Sequence, residues 1–125
     1  MPRPPQKLHE KMALNRKKLG NGGEGLAVKY LKKRGWKILK RNFVNPFGEV
    51  DIIASKGEVT AFIEVKTRTS DAFGAPAEAV DERRRRRYIA GAKYFFVGRE
   101  PDCVVRFDII EVYKGEINHI ENAFS

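Results

Sequence analysis

The sequence is short of almost everything that would tie it to an oxidising compartment or a membrane. Cys103 is the only cysteine in 125 residues, so no internal disulfide can form, which fits a reducing, cytoplasmic setting. No apolar run approaches the roughly 20 residues that cross a bilayer. The proline-rich, basic start lacks the apolar stretch that a secretory signal needs. Histidine is scarce as well. His9 and His119 stand far apart near the two ends, form no zinc pattern and are expected at the surface. Acid is the scarcer charge: Lys and Arg number 25 against 16 Asp and Glu, a formal net charge of +9. Such an excess favours an anionic partner, with a solvated basic surface as the alternative.

What is present reads as one folded domain. Apolar residues make up 42% and charged residues 33% of the chain, a globular balance. A chain of this length buries roughly two-thirds of the surface its unfolded form exposes. Residues 1–18 carry Arg3, Lys7, Lys11, Arg16, Lys17 and Lys18 against Glu10 alone. They predict a flexible basic arm ahead of a single domain over 19–125, with Lys17 and Lys18 as candidate phosphate contacts. Ala27, Val28 and Leu31 follow Glu24 at helical spacing, predicting a helix to about Arg34 that Gly35 closes. Strands are expected over 36–44, 49–54 and 59–66, then a second helix from Pro76 through Phe96, then a hairpin over 103–120. That order gives an α/β domain, a mixed five-stranded sheet with helices on its faces.

Two strands contain acids where a core is expected. In Phe62-Ile63-Glu64-Val65-Lys66, period-two alternation puts Glu64 and Lys66 on one face and Ile63 and Val65 on the other. In Gly48-Glu49-Val50-Asp51-Ile52-Ile53, Asp51 is flanked in the same way. A two-residue turn at Lys56-Gly57 would set Asp51 opposite Phe62 and make Glu64 its diagonal neighbour on the same face. Two carboxylates so placed can reach one hard cation, Mg²⁺ or Mn²⁺, which also binds phosphate oxygens. Lys66 beside them can hold an attacking water and stabilise charge on a pentacoordinate phosphorus. The bland alternative is a salt bridge from Lys66 to Glu64 or Asp51. Glu24 shares the inward face of the first helix and is a third site acid, holding metal directly or through water. An exposed first-turn acid is the other reading of it.

Arg83 to Arg87 wrap round the second helix, so Arg83, Arg84, Arg86 and Arg87 are candidate phosphate contacts, or else a solvated face. Arg68 follows Lys66-Thr67 and either touches the phosphate or ends the strand. Glu49 either tunes the site or is an exposed strand end. Cys103 is expected as a small, buried apolar residue.

The pattern resembles the PD-(D/E)xK nuclease superfamily, whose core runs helix, three strands, helix, strand. Within it, the chain looks like the YraN-type family of small bacterial proteins. The residues that carry the likeness are Gly23-Glu24, Gly48-Glu49-Val50-Asp51, Glu64-Val65-Lys66-Thr67-Arg68, Phe73-Gly74-Ala75-Pro76 and Arg106-Phe107-Asp108. Archaeal Holliday-junction resolvases have a similar set. The resemblance implies a restriction-endonuclease-like core with Asp51 and Glu64 as metal ligands, Lys66 as the catalytic lysine and Glu24 near the metal. It implies a metal-dependent endonuclease for DNA, branched or damaged DNA included, and is compatible with a homodimer. The alternatives are a nucleic-acid-binding module without cleavage, or an RNA-processing nuclease. Asp108 has a match in the family but no role from the sequence.

Overall fold

The computed structural model describes residues 22–68, 82–99 and 101–123. The basic arm, the loop with the expected helix start at Pro76, and Lys17 and Lys18 lie outside them. The first helix, α1, covers residues 22–33 of the described chain. It ends where its glycine predicts. Gly35 takes φ +88°, Trp36 N–H donates to the Leu31 carbonyl and Gly35 N–H to that of Lys32. This paired closure satisfies the last carbonyls of the helix.

Five strands follow the predicted order: β1 (Lys37–Asn45), β2 (Gly48–Lys56), β3 (Val59–Thr67), then, after helix α2 (Glu82–Phe95), β4 (Val104–Tyr113) and β5 (Glu116–Ile120). They pair in the order β1-β2-β3-β4-β5, antiparallel throughout except for the parallel β3–β4 pair. The parallel pair needs a crossover, and α2 lies on that connection.

Alternation along the strands divides the core between the two faces of the sheet. Ala27, Val28 and Leu31 of α1 pack with Ile52, Ala54, Ala61, Ile63, Ile110 and Val112. Tyr88 and Ala92 of α2 pack with Ile53, Phe62 and Ile109 on the other face. The helices therefore cover opposite faces of a mixed sheet, as expected. Gly23 sets how closely α1 approaches: a Cβ there would collide with the Thr67 hydroxyl and stand 3.7 Å from Val112 Cβ. Because Gly23 has no side chain, the start of α1, and Glu24 with it, lies against the ends of β3 and β4.

The hairpin register differs from the sequence expectation. The central turn residues are Gly57 and Glu58, not Lys56 and Gly57, so Lys56 pairs with Val59 and Ile52 with Ile63. Gly57 takes φ +58°. It occupies the first central position, where such a turn most needs a residue without Cβ. Each β2 position therefore faces a residue two later on β3 than expected. The face is unchanged, but Asp51 comes level with Glu64 rather than Phe62.

Candidate active site

At Asp51 the β2–β3 ladder stops. The last pair is Ile52–Ile63, and beyond it the Val65 N–H donates to Asp51 Oδ2 at 2.8 Å. The side chain thus takes the place of a strand carbonyl and fixes the carboxylate in the fork between the strands. On the other side, Asn42 stands level with Asp51, between the pairs Arg41–Ile52 and Phe43–Val50. Its backbone is left-handed, φ +53°, a conformation asparagine tolerates better than most residues. Its Nδ2 donates to Glu24 Oε1 at 3.1 Å, and Arg41 Nη2 reaches the same oxygen at 3.4 Å. Strand β1 is therefore what holds Glu24.

Asp51 and Glu64 line one cleft of about 240 Å³ with Asn45, Phe47, Glu49, Arg84, Arg87 and Tyr88. Burial pushes the Asp51 carboxyl up from 3.8 to about 7; the Val65 N–H opposes the rise, while the charges of Glu24, Glu64 and Glu49 add to it. Glu49 itself is exposed and acts on Asp51 through its charge. Tyr88, 5% exposed, is hydrogen-bonded to the Asp51 backbone. Its hydroxyl is raised well above 10 by burial first, then by the charges of Asp51 and Glu64. Glu64 Oε1 pairs with Arg84 Nε at 3.1 Å. Among the described residues no three His, Cys, Asp or Glu side chains converge as a ready metal cage.

Lys66 is half-buried and level with Glu111 in the β3–β4 register, so strand alternation keeps it on the Glu64 face. Glu111, 1% exposed, accepts from Arg68 Nε at 2.8 Å and Asn118 Nδ2 at 2.9 Å, with Arg68 Nη2 also bonded to it. Arg68 is thus tied to a buried carboxylate at the end of β3. The arginine run divides: Arg84 and Arg87 line the cleft, Arg85 and Arg86 meet Glu82 on the helix surface, and Arg83 is exposed. Sequence reasoning missed Asn42 and Glu111 and gave Tyr88 only a core place. Glu111 had a signal, an acid inside Ile109-Ile110-Glu111-Val112, the same oddity that exposes Glu64. Asn42 had none.

His119 corrects another expectation. Its side chain is 6% exposed, not at the surface. Nε2 lies 2.8 Å from Asp108 Oδ2 and Nδ1 lies 3.2 Å from the Tyr30 hydroxyl. Asp108 is fully buried and also accepts from Arg106 Nε and Nη2 and from the Asn122 N–H, each at 2.9 Å. Burial alone would raise its carboxyl; the bonds from His119, Arg106 and Asn122 outweigh that and hold it below 3.8. Cys103 is half-buried and unbonded to any other cysteine.

The model of the Uncharacterised protein family UPF0102 matches residues 23–112. The chain belongs to that family. UPF0102 is the YraN-type group of the resemblance, and the matched stretch runs from Gly23 through Val112 and so spans both acid-bearing strands. Its relatives agree over nearly their whole length. The UPF0102 protein of Caldicellulosiruptor saccharolyticus is 46% identical over 118 residues, 89% of this chain and 100% of the relative. That of Thermodesulfovibrio yellowstonii is 45% identical over 106 residues, 85% of this chain and 95% of the relative. That of Clostridioides difficile is 43% identical over 114 residues, covering 89% and 100%.

Proposed function

We propose that this UPF0102 protein is a Mg²⁺- or Mn²⁺-dependent endonuclease that hydrolyses phosphodiester bonds of DNA on a restriction-endonuclease-like core. One observation carries the reading: Asp51 and Glu64 share a cleft in which burial and three neighbouring acids push Asp51 up to about 7. An acidic crowd of that kind is costly unless a cation joins it. The donors are all hard oxygens, which suit Mg²⁺ or Mn²⁺, and Mg²⁺ needs only one or two carboxylates beside its waters. The element order of helix, three strands, helix, strand supports the PD-(D/E)xK assignment.

In this reading Asp51 and Glu64 would hold the ion, with Glu24, positioned by Asn42 and Arg41, as the third acid that would meet it directly or through water. Bound there, the ion would neutralise phosphate charge and acidify a water. Lys66 presents its ammonium to the attacked phosphate, where developing negative charge strengthens the contact. Arg84 and Arg87 meet the flanking phosphates as charge-assisted donors. Tyr88 holds the Asp51 backbone by its hydrogen bond.

A second reading rests on the Arg84–Glu64 pair: the cleft holds nucleic acid without cutting it, with Arg84 in permanent occupation of Glu64. Cleavage assays separate the two. Duplex, branched and single-stranded DNA and RNA are offered with Mg²⁺, with Mn²⁺ and with chelator, beside Glu64→Ala. Metal-dependent cleavage of DNA that Glu64→Ala abolishes is the expected result. Absence of cleavage on every substrate would leave the binding module, and cleavage of RNA alone would redirect the assignment.

A further inference from the structure

An aromatic ring stands exposed at the mouth of the cleft. Phe47 is 48% exposed and lines the same cleft as Asp51, Glu64, Arg84 and Arg87. Leaving such a side chain half in water forgoes a good part of the stabilisation that burial would give. The ring is not on a loose loop. The Phe47 N–H donates to Asn45 Oδ1 at 2.9 Å. Asn45 in turn lies against α2 at Gly91, where a Cβ would stand 3.3 Å from Asn45 Nδ2. The next residue, Gly48, sits beside Arg87: a Cβ there would stand 3.8 Å from Arg87 Cδ. The turn that carries Phe47 therefore lies against α2, with the ring in the lining of the cleft.

Its surroundings indicate the occupant. A greasy protein-docking face would be continuous, whereas the other cleft residues here are mostly charged or polar: Asn45, Glu49, Asp51, Glu64, Arg84 and Arg87. One flat apolar surface next to guanidinium groups matches a nucleotide, whose base stacks while its phosphate meets the arginines. Within a duplex both faces of every internal base are already stacked on neighbours. Only an unpaired nucleotide has a free face for the ring.

We propose that Phe47 is a stacking platform for an unpaired base adjoining the phosphate held in the cleft. The favoured substrate is then a gapped, flapped, forked or single-stranded nucleic acid rather than a fully paired duplex. This rests on the reading of the cleft as a phosphodiester site.

The test is a metal-free binding measurement with full-length protein and two fluorescent probes. One is a paired duplex; the other is the same duplex carrying one unpaired 2-aminopurine. Wild type should bind the second on the order of ten- to a hundredfold more tightly, the range that stacking on an aromatic supplies, and should quench its fluorescence. Phe47→Ala should bring the two affinities together and abolish the quench, while Phe47→Trp should retain both. An abasic residue in place of the unpaired base should behave as the duplex does. Retention of the full preference in Phe47→Ala, no quench with wild type, or binding of neither probe would overturn the platform. Cleavage with Mn²⁺ is scored separately. Preference without cleavage would remove the nuclease reading and leave the platform; cleavage without a Phe47-dependent preference would do the reverse.

Discussion

Asp51 and Asp108 are carried by β2 and β4, the two neighbours of β3, only about 10 Å apart at the usual strand spacing. They project to opposite faces, and their surroundings are opposite in kind. Asp108, under α1, is met by Arg106, His119 and the Asn122 N–H, and its carboxyl is held below 3.8. Asp51, on the α2 side, receives one backbone N–H and faces Glu24, Glu64 and Glu49, and its carboxyl rises to about 7. A buried charge with its counter-charges built in is part of the structure. A buried charge crowded by like charges is poised for something that arrives from outside.

The largest effect should separate the two in opposite directions. Asp108→Ala leaves Arg106 and His119 without their partner and should cost about 3–5 kcal/mol of stability, the loss seen when a buried pair is broken. Asp51→Asn should leave the metal-free melting temperature unchanged or raised, because it removes a repelled charge. Chemical denaturation of the two variants checks both. Destabilisation of Asp51→Asn comparable with that of Asp108→Ala would erase the distinction.

Catalysis should invert that ranking. Asp51→Asn and Lys66→Ala should each lower cleavage on the order of 10²- to 10³-fold, as loss of a group aimed at transition-state charge does. Metal-free DNA affinity should hold or rise for Asp51→Asn, which relieves repulsion with phosphates, and fall modestly for Lys66→Ala. Activity losses no larger than the loss of folded protein would turn both residues into a structural salt bridge.

The pH dependence carries opposite signs for the two carboxyls. Asp51 is raised in the folded state, so the folded chain holds its proton while the unfolded chain loses it between about pH 4 and about 7. Metal-free stability should fall across that window, and Asp51→Asn should flatten the slope. Asp108 is lowered, so its contribution is present above 3.8 and disappears as pH falls through its folded value. Denaturation midpoints across pH, with both variants, test the two signs. The smallest effects concern the arginines. Arg87→Ala should flatten the salt dependence of DNA binding by about 0.9 for each phosphate that Arg87 neutralises. Arg86→Ala, at a pair whose arginine side chain is 77% exposed, should change stability by less than about 1 kcal/mol.

Much of this contrast was legible from residue order. Alternation alone places Asp51, Glu64 and Lys66 on one face, and that survived a turn shifted by one residue because paired positions moved by an even sum. The acid-in-apolar-strand signal found Asp51 and Glu64, and applied to Glu111 it would have found a third. The same signal marks Asp108, inside Phe107-Asp108-Ile109-Ile110, but the cluster around it was not legible. Its partners come from β4, β5, α1 and the turn after β5, and only the folded sheet brings Tyr30 to His119, 89 positions away. The left-handed Asn42 is likewise a tertiary product: its backbone turns to φ +53° within an unbroken stretch of the β1–β2 register, and nothing in Arg41-Asn42-Phe43 announces it.

Binding of Mn²⁺ to the metal-free protein, followed by the paramagnetic relaxation of water protons, tests the central claim most directly. Wild type should take up the ion at the Asp51–Glu64 cleft, Asp51→Asn and Glu64→Gln should each lose most of that binding while remaining folded, and Glu58→Gln, in the remote β2–β3 turn, should bind as wild type does. No Mn²⁺ bound by wild type, or equal binding by all four proteins, would contradict the account.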